Sequence, residues 1–218
     1  MKSSAILSVL YRILCDLTTG YSSIVFMSNP TLGGFIFVLT FLQPNIGICG
    51  FFGILSALLF SECLGLTSSV FYRFLLCNAL LTGLFIGYLF KFDGLVFILI
   101  ASAVALCLSA TAMVQSILHG QGLPVGSLPF TLMAILLSLA KFNFSNLTEW
   151  TPYFLEHKIH CPEIVTVYLR SLGCIFCIPD PLFGLLLLFL ILIFSPLLGI
   201  FLTVGFAIGN GLCSIYTI

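Results

Sequence analysis

The stretch 123-LPVGSLPF-130 decides how this chain is read. Two prolines, a glycine and a serine stand between apolar runs, where a lipid-facing helix would be continuous. Backbone polar groups in lipid must be satisfied by the protein itself, so a broken segment is tolerated only where protein or a water-filled cavity surrounds it. Residues 120–129 contain Gly120, Gly122, Pro124, Gly126 and Pro129. That segment is expected to be partly non-helical, to dip into the membrane and to reverse there.

Composition points to lipid as the solvent. Of 218 residues, 61% are hydrophobic and 6% are charged, against roughly 25% charged in a soluble domain. So few charges cannot cover a water-exposed surface, and the mean hydropathy of +1.26 agrees. Net charge is zero, so no basic face invites nucleic acid. The nine cysteines are scattered, mostly within apolar runs. They read as small hydrophobes, with no disulfide framework implied. Arg12 and Asp16 interrupt the first apolar stretch, so it is expected to be part of the mature chain rather than a cleaved signal.

Helices are the default in lipid, and about 20 apolar residues span a bilayer. The apolar segments are 5–27, 30–43, 45–66, 74–90, 94–118, 130–141, 164–178, 182–195 and 197–215. Several are too short to span. They break at Pro30, Pro44, Arg73, 91-KFD-93, Pro124 with Pro129, and Pro181. Short, proline-interrupted segments are typical of transporters, whose broken helices line a cavity. Residues 142–163 differ: they hold Trp150, three acids and two of the three histidines. They read as a hydrated linker, and the sequons at Asn143 and Asn146 lie too close to a helix end to favour glycosylation. The expected organisation is a first membrane repeat at 1–141, the linker at 142–163, and an incomplete second repeat at 164–218.

The repeat rests on 22-SSIVFMSNPTLGGFIFV-38 and 173-GCIFCIPDPLFGLLLLF-189. Each runs from a small residue through isoleucine and an aromatic to Asn-Pro or Asp-Pro, with glycine three residues beyond the proline. The offset is 151 residues, and Pro44 with Gly53 answers to Pro196 with Gly205 at 152. An odd number of spans between the copies would invert the second, and inverted repeats place a solute site at their interface near the midplane. At this offset the counterpart of 123-LPVGSLPF-130 falls beyond Ile218, so the second copy is expected to be truncated.

These motifs resemble the urea transporter family. The segment 123-LPVGSLPF-130 is similar to its Leu-Pro-x-x-Thr-x-Pro-Phe signature, with Ser127 for threonine. The run 23-SIVFMSNP-30 keeps Phe26 and Asn29-Pro30 of another motif, and 76-LCNALL-81 keeps Asn78 and Leu81 of a third. The run 169-LRSLGCIFCIPDP-181 looks like the opening of the family's second half. The resemblance implies an all-α polytopic membrane fold of two inverted repeats, each with a reentrant helix pair. It also implies homotrimers, a location in the cell membrane (the inner membrane in a bacterium), an N-terminus inside, and passive conduction of urea with no cofactor. Lys and Arg do not segregate between alternate loops, so charge alone gives no orientation.

Urea is planar and neutral, with one carbonyl and four N–H donors. Desolvating an unpaired amide-like group costs roughly 2–7 kcal/mol, so a urea path must replace water hydrogen bonds along its length. By the resemblance, Ser127 supplies a hydroxyl at the narrowest point and Leu81 an apolar wall. Ser23, Ile24 and Phe26 line one mouth, Cys174 and Ile175 the other, and Cys77 and Asn78 complete the lining. The family's glutamine is Ser23 here, its second-mouth Glu or Gln is Cys174, and Cys77 and Cys177 replace aromatics. The oxygen ladder is therefore eroded. Two further readings stay open: a non-conducting membrane protein that keeps the fold, and a channel for another small neutral solute. A metal at Cys174-x-x-Cys177 or at His157, His160 and Cys161 is the weaker reading of those residues. His119 reads as a helix-end cap and Glu62 as an acid reaching for the interface. No catalytic constellation is present, so an enzyme is not expected.

Overall fold

The computed structural model describes residues 2–68, 72–119, 123, 125–143, 147–150 and 162–216. The His157, His160 and Cys161 group and the Asn146 sequon lie outside them. Among the described residues the chain is all-α, with one isolated bridge between Phe90 and Glu149. The helices are α1 (Lys2–Ile24), α2 (Pro30–Thr40), α3 (Pro44–Cys63), α4 (Tyr72–Leu89), α5 (Gly94–His119), α6 (Leu128–Ala140), α7 (Glu163–Cys174), α8 (Pro181–Phe194) and α9 (Pro196–Tyr216). Prolines open α2, α3, α8 and α9 at the first helical position, where the missing N–H costs nothing. The segments 44–63, 72–89 and 94–118 are long and apolar enough to cross a membrane, while α2, α6 and α8 are shorter apolar helices. This is an all-α membrane protein with short elements among its spans.

Two compact units divide the chain, Met1–Tyr153 and Phe154–Ile218. In the first, α3 and α4 pack most closely, and glycine makes the approach possible. A Cβ on Gly53 would lie 2.9 Å from the Gly83 Cα, and one on Gly87 would lie 2.9 Å from the Ile46 Cα. Small residues permit such approach where lipid offers no hydrophobic drive between helices. Asn45, in the first turn of α3, closes the far end of α4. Its amide donates to the Gly87 carbonyl and to the Phe90 carbonyl at 2.9 Å, and its oxygen accepts from the Phe92 N–H at 2.7 Å. Residues 148–150 lie along the same corner: the Lys91 N–H donates to the Thr148 carbonyl at 2.9 Å and the Trp150 N–H to the Leu89 carbonyl at 3.1 Å.

In the second unit, α7 and α9 meet through Tyr168, whose hydroxyl lies 2.9 Å from the Thr203 Oγ1. Its ring packs on Phe206 at 4.9 Å. Between these helices runs a groove of about 420 Å³, lined by Ile164, Val165, Tyr168, Thr203, Phe206, Ala207 and Asn210.

The two turns that the 151-residue offset pairs share a hydrogen-bond pattern. The Met27 N–H donates to the Ser22 carbonyl and the Phe26 N–H to the Ser23 carbonyl, both at 3.0 Å. At the equivalent place the Ile178 N–H donates to the Gly173 carbonyl and the Cys177 N–H to the Cys174 carbonyl, both at 3.0 Å. Each is a Schellman closure, with Phe26 and Cys177 at φ 58°. Asn29 then caps α2 through the Thr31 N–H at 3.0 Å, and Asp180 caps α8 through the Leu182 N–H at 2.9 Å. Gly33 lies against the Thr18 carbonyl and Gly184 against the Leu169 carbonyl, so closely that a Cβ on either would collide with the oxygen.

Those two collisions give a direct comparison. Gly33→Ala and Gly184→Ala should each destabilise the purified protein by about 1–3 kcal/mol, the usual cost of overpacking. Gly205→Ala, with nothing within 4 Å of its Cβ position, should leave the thermal unfolding midpoint nearly unchanged in the same detergent.

Candidate functional site

Of the break expected at 120–129, residues 120–122 and 124 lie outside the described residues; the turn at 126–130 is closed by one side chain. Asn78 is fully buried on α4. Its amide nitrogen donates to the Phe74 carbonyl at 2.9 Å, one turn back on its own helix, and to the Gly126 carbonyl at 3.0 Å. Its oxygen accepts from the Phe130 N–H at 3.3 Å. One amide thus holds both sides of the turn that starts α6. Gly126 takes φ 57°, a left-handed conformation that glycine adopts without a Cβ penalty. Val125 is buried beside it. Phe130 packs edge-on against Phe85 of α4 at 6.2 Å.

The turn presents Ser127. Ser127 occupies the N-cap position of α6, yet its side chain makes no capping bond. Its carbonyl accepts from the Thr131 N–H at 2.9 Å and the Thr131 hydroxyl at 3.0 Å. The residue is exposed, so its hydroxyl is available to something outside the turn. The 13 residues of α6 rise only about 20 Å at 1.5 Å each, short of the ~30 Å hydrocarbon core. A helix of this length beginning at a clipped, polar turn suits a reentrant position.

Cys77 is half-buried next to Asn78, and Leu81 lies one turn along α4 and is buried. Both lie on the helix that carries Asn78, and Ser127 follows the Gly126 that Asn78 holds. The end of α1 forms a second feature of the first unit. Ile24 is buried, whereas Phe26 is 87% exposed on its left-handed turn. The Ser23 hydroxyl donates to the Thr19 carbonyl at 2.6 Å. The Arg73 guanidinium donates to the Ser28 hydroxyl and so ties this turn to the start of α4. In the second unit, Cys174 and Ile175 are exposed at the equivalent turn.

The family model described as Urea transporter matches residues 16–216. The chain belongs to the urea transporter family. A search of curated proteins finds no match. The family's common ground is solute transport across membranes, and the apolar helices of this member place it in one. Two details of this urea transporter-like site were not readable from its motifs. The Gly126 carbonyl is occupied by Asn78. Every polar atom of Asn78 is likewise engaged within the protein. Thr111 and Gln115 of α5 are buried, and single polar residues in a 26-residue apolar helix form no motif.

Asn78→Leu should release the turn. The Gly126 carbonyl and Phe130 N–H would each be left unpaired, at about 1–3 kcal/mol per buried group. The unfolding midpoint should fall accordingly, and cysteine placed at position 127 should react with thiol reagents at a changed rate, read by mass spectrometry of its peptide. Phe26→Gly should instead stabilise the α1 turn by about 1–2 kcal/mol, the penalty a side chain carries in the left-handed region.

Proposed function

We propose that this chain belongs to a passive, channel-type path for urea or a similar small neutral amide across the cell membrane, with Ser127 at its polar constriction. The observation that carries this reading is the Asn78-clipped turn, which holds an exposed, uncommitted hydroxyl at the start of a short helix. A neutral hydroxyl at the start of an apolar helix can accept an N–H donor and then release it. It gives an ion no compensating charge.

In the first unit, the proposed lining is Ile24, Phe26, Cys77, Leu81 and Ser127. Asn78 serves the lining by holding it rather than by meeting solute. The flanking positions are poor in acceptors. Ser23 directs its hydroxyl proton at the Thr19 carbonyl, and Cys174 offers sulfur where the resemblance implies an oxygen. Each uncompensated ~1.4 kcal/mol slows passage tenfold, so urea conduction by this chain is expected to fall below that of a member with both oxygens. This thin acceptor ladder is also what favours the second reading, a membrane protein that keeps the fold without conducting. The organisation we propose is a first repeat followed by a linker and part of a second, working as a homo-oligomer.

Stopped-flow urea efflux from vesicles holding the purified chain tests the reading. Wild-type and Ser127→Thr proteins should conduct alike. Ser127→Val, nearly isosteric with threonine but unable to hydrogen-bond, should conduct several-fold less, since one lost bond is worth about 0.5–1.5 kcal/mol. Equal flux in all three, or flux no greater than protein-free vesicles, would refute it.

A further inference from the structure

We propose that the side-chain oxygen of Gln115 is a second hydrogen-bond acceptor for the solute, level with the Ser127 turn and supplied by α5. The buried stripe of α5 changes character along its length. Val96, Ile100, Ala103 and Val104 make up its first half; its second holds Leu108 together with Cys107, Thr111 and Gln115, these three spaced four residues apart. Positions i, i+4 and i+8 share one helix face. The direction of that face is fixed by contact: the Thr82 hydroxyl of α4 reaches the Cys107 Sγ at 3.4 Å. Residues 90–93 join α4 to α5, so the two helices run antiparallel. Moving from Thr82 back along α4 leads to Asn78, whose carbonyl accepts from the Thr82 hydroxyl at 2.8 Å. Moving the same way along α5 leads from Cys107 through Thr111 to Gln115, about 12 Å on at 1.5 Å per residue. Gln115 therefore lies toward the end of α4 that carries Asn78, whose amide holds the turn of residues 126–130.

The polar groups of this stripe are otherwise accounted for. Thr111 donates to the Cys107 carbonyl at 2.7 Å, and Asn78 is fully engaged. Gln115 is 8% exposed, and its Oε1 has no hydrogen-bond partner. A buried carbonyl oxygen without a donor is costly and calls for an explanation. A leucine there would fill much the same volume without the cost. The oxygen is suited to a small neutral N–H donor that comes and goes. An ordered water would present the same chemistry, and the two sources are separable by experiment. The proposal rests on the transport reading for the identity of the donor.

The chain has three glutamines, Gln43, Gln115 and Gln121. Side-chain ¹⁵N labelling of glutamine in the full chain, held in nanodiscs, therefore gives few amide signals, and Gln115→Leu assigns the relevant one. Millimolar urea should shift that signal saturably. Tetramethylurea, which keeps the carbonyl but has no N–H, should not. In vesicles, Gln115→Leu should lower urea flux about tenfold while the unfolding midpoint holds or rises, whereas a merely structural glutamine would leave flux unchanged. A signal silent to urea, with or without a cross-peak to bound water, would overturn the proposal even where wild-type flux is present. A signal that responds to urea in a chain without flux would sink the transport reading and leave the binding site standing.

Discussion

A peptide group inside a bilayer must find its hydrogen-bond partner within the protein, and this chain breaks its helices repeatedly under that rule. Several of the described breaks are closed by a specific device. Schellman bonds end α1 and α7, and Asn29 and Asp180 start the helices that follow. Asn45 satisfies the end of α4 and the corner beyond it. Asn78 satisfies the turn before α6. Three asparagines and an aspartate thus do the closing work. A short amide can donate and accept at once without placing a charge in lipid.

The glycines serve the same end by another route. Gly53 and Gly83 let α3 and α4 meet at backbone contact, which brings Asn45 within reach of the Gly87 and Phe90 carbonyls. Gly33 and Gly184 let the short helices after each Schellman turn lie against the carbonyls of the helices before them. In both units the close approach and the polar clip occur together, because a hydrogen bond of about 3 Å between helices requires that no side chain intervene.

Much of this was legible in the sequence. Prolines marked helix starts to within a residue or two, and the 151-residue offset found two turns that prove alike in bonds and in dihedral sign. Asn-Pro and Asp-Pro carry their geometry locally, so pattern reveals them. What stayed hidden depends on a distant neighbour. Nothing local to Asn78 announces that its partners lie at 126 and 130. Nothing around Gln115 shows that its oxygen is unpaired. Phe26 and Cys177 ran against expectation, since glycine is the usual residue at a left-handed helix end. Position 26 of the turn instead carries an exposed aromatic ring, at a backbone cost borne in both units.

The Asn78 clip also orders events in time. Its two halves are 48 residues apart in the chain, so α4 leaves the ribosome well before the turn that Asn78 will hold. At about 5–20 residues per second, the amide waits several seconds with only the Phe74 carbonyl as a protein partner. During that interval α4 carries a polar group that lipid cannot satisfy, which favours its retention beside the insertion machinery until α5 and α6 arrive. The side chain that fixes the finished turn is thus satisfied only once α5 and the start of α6 have been made.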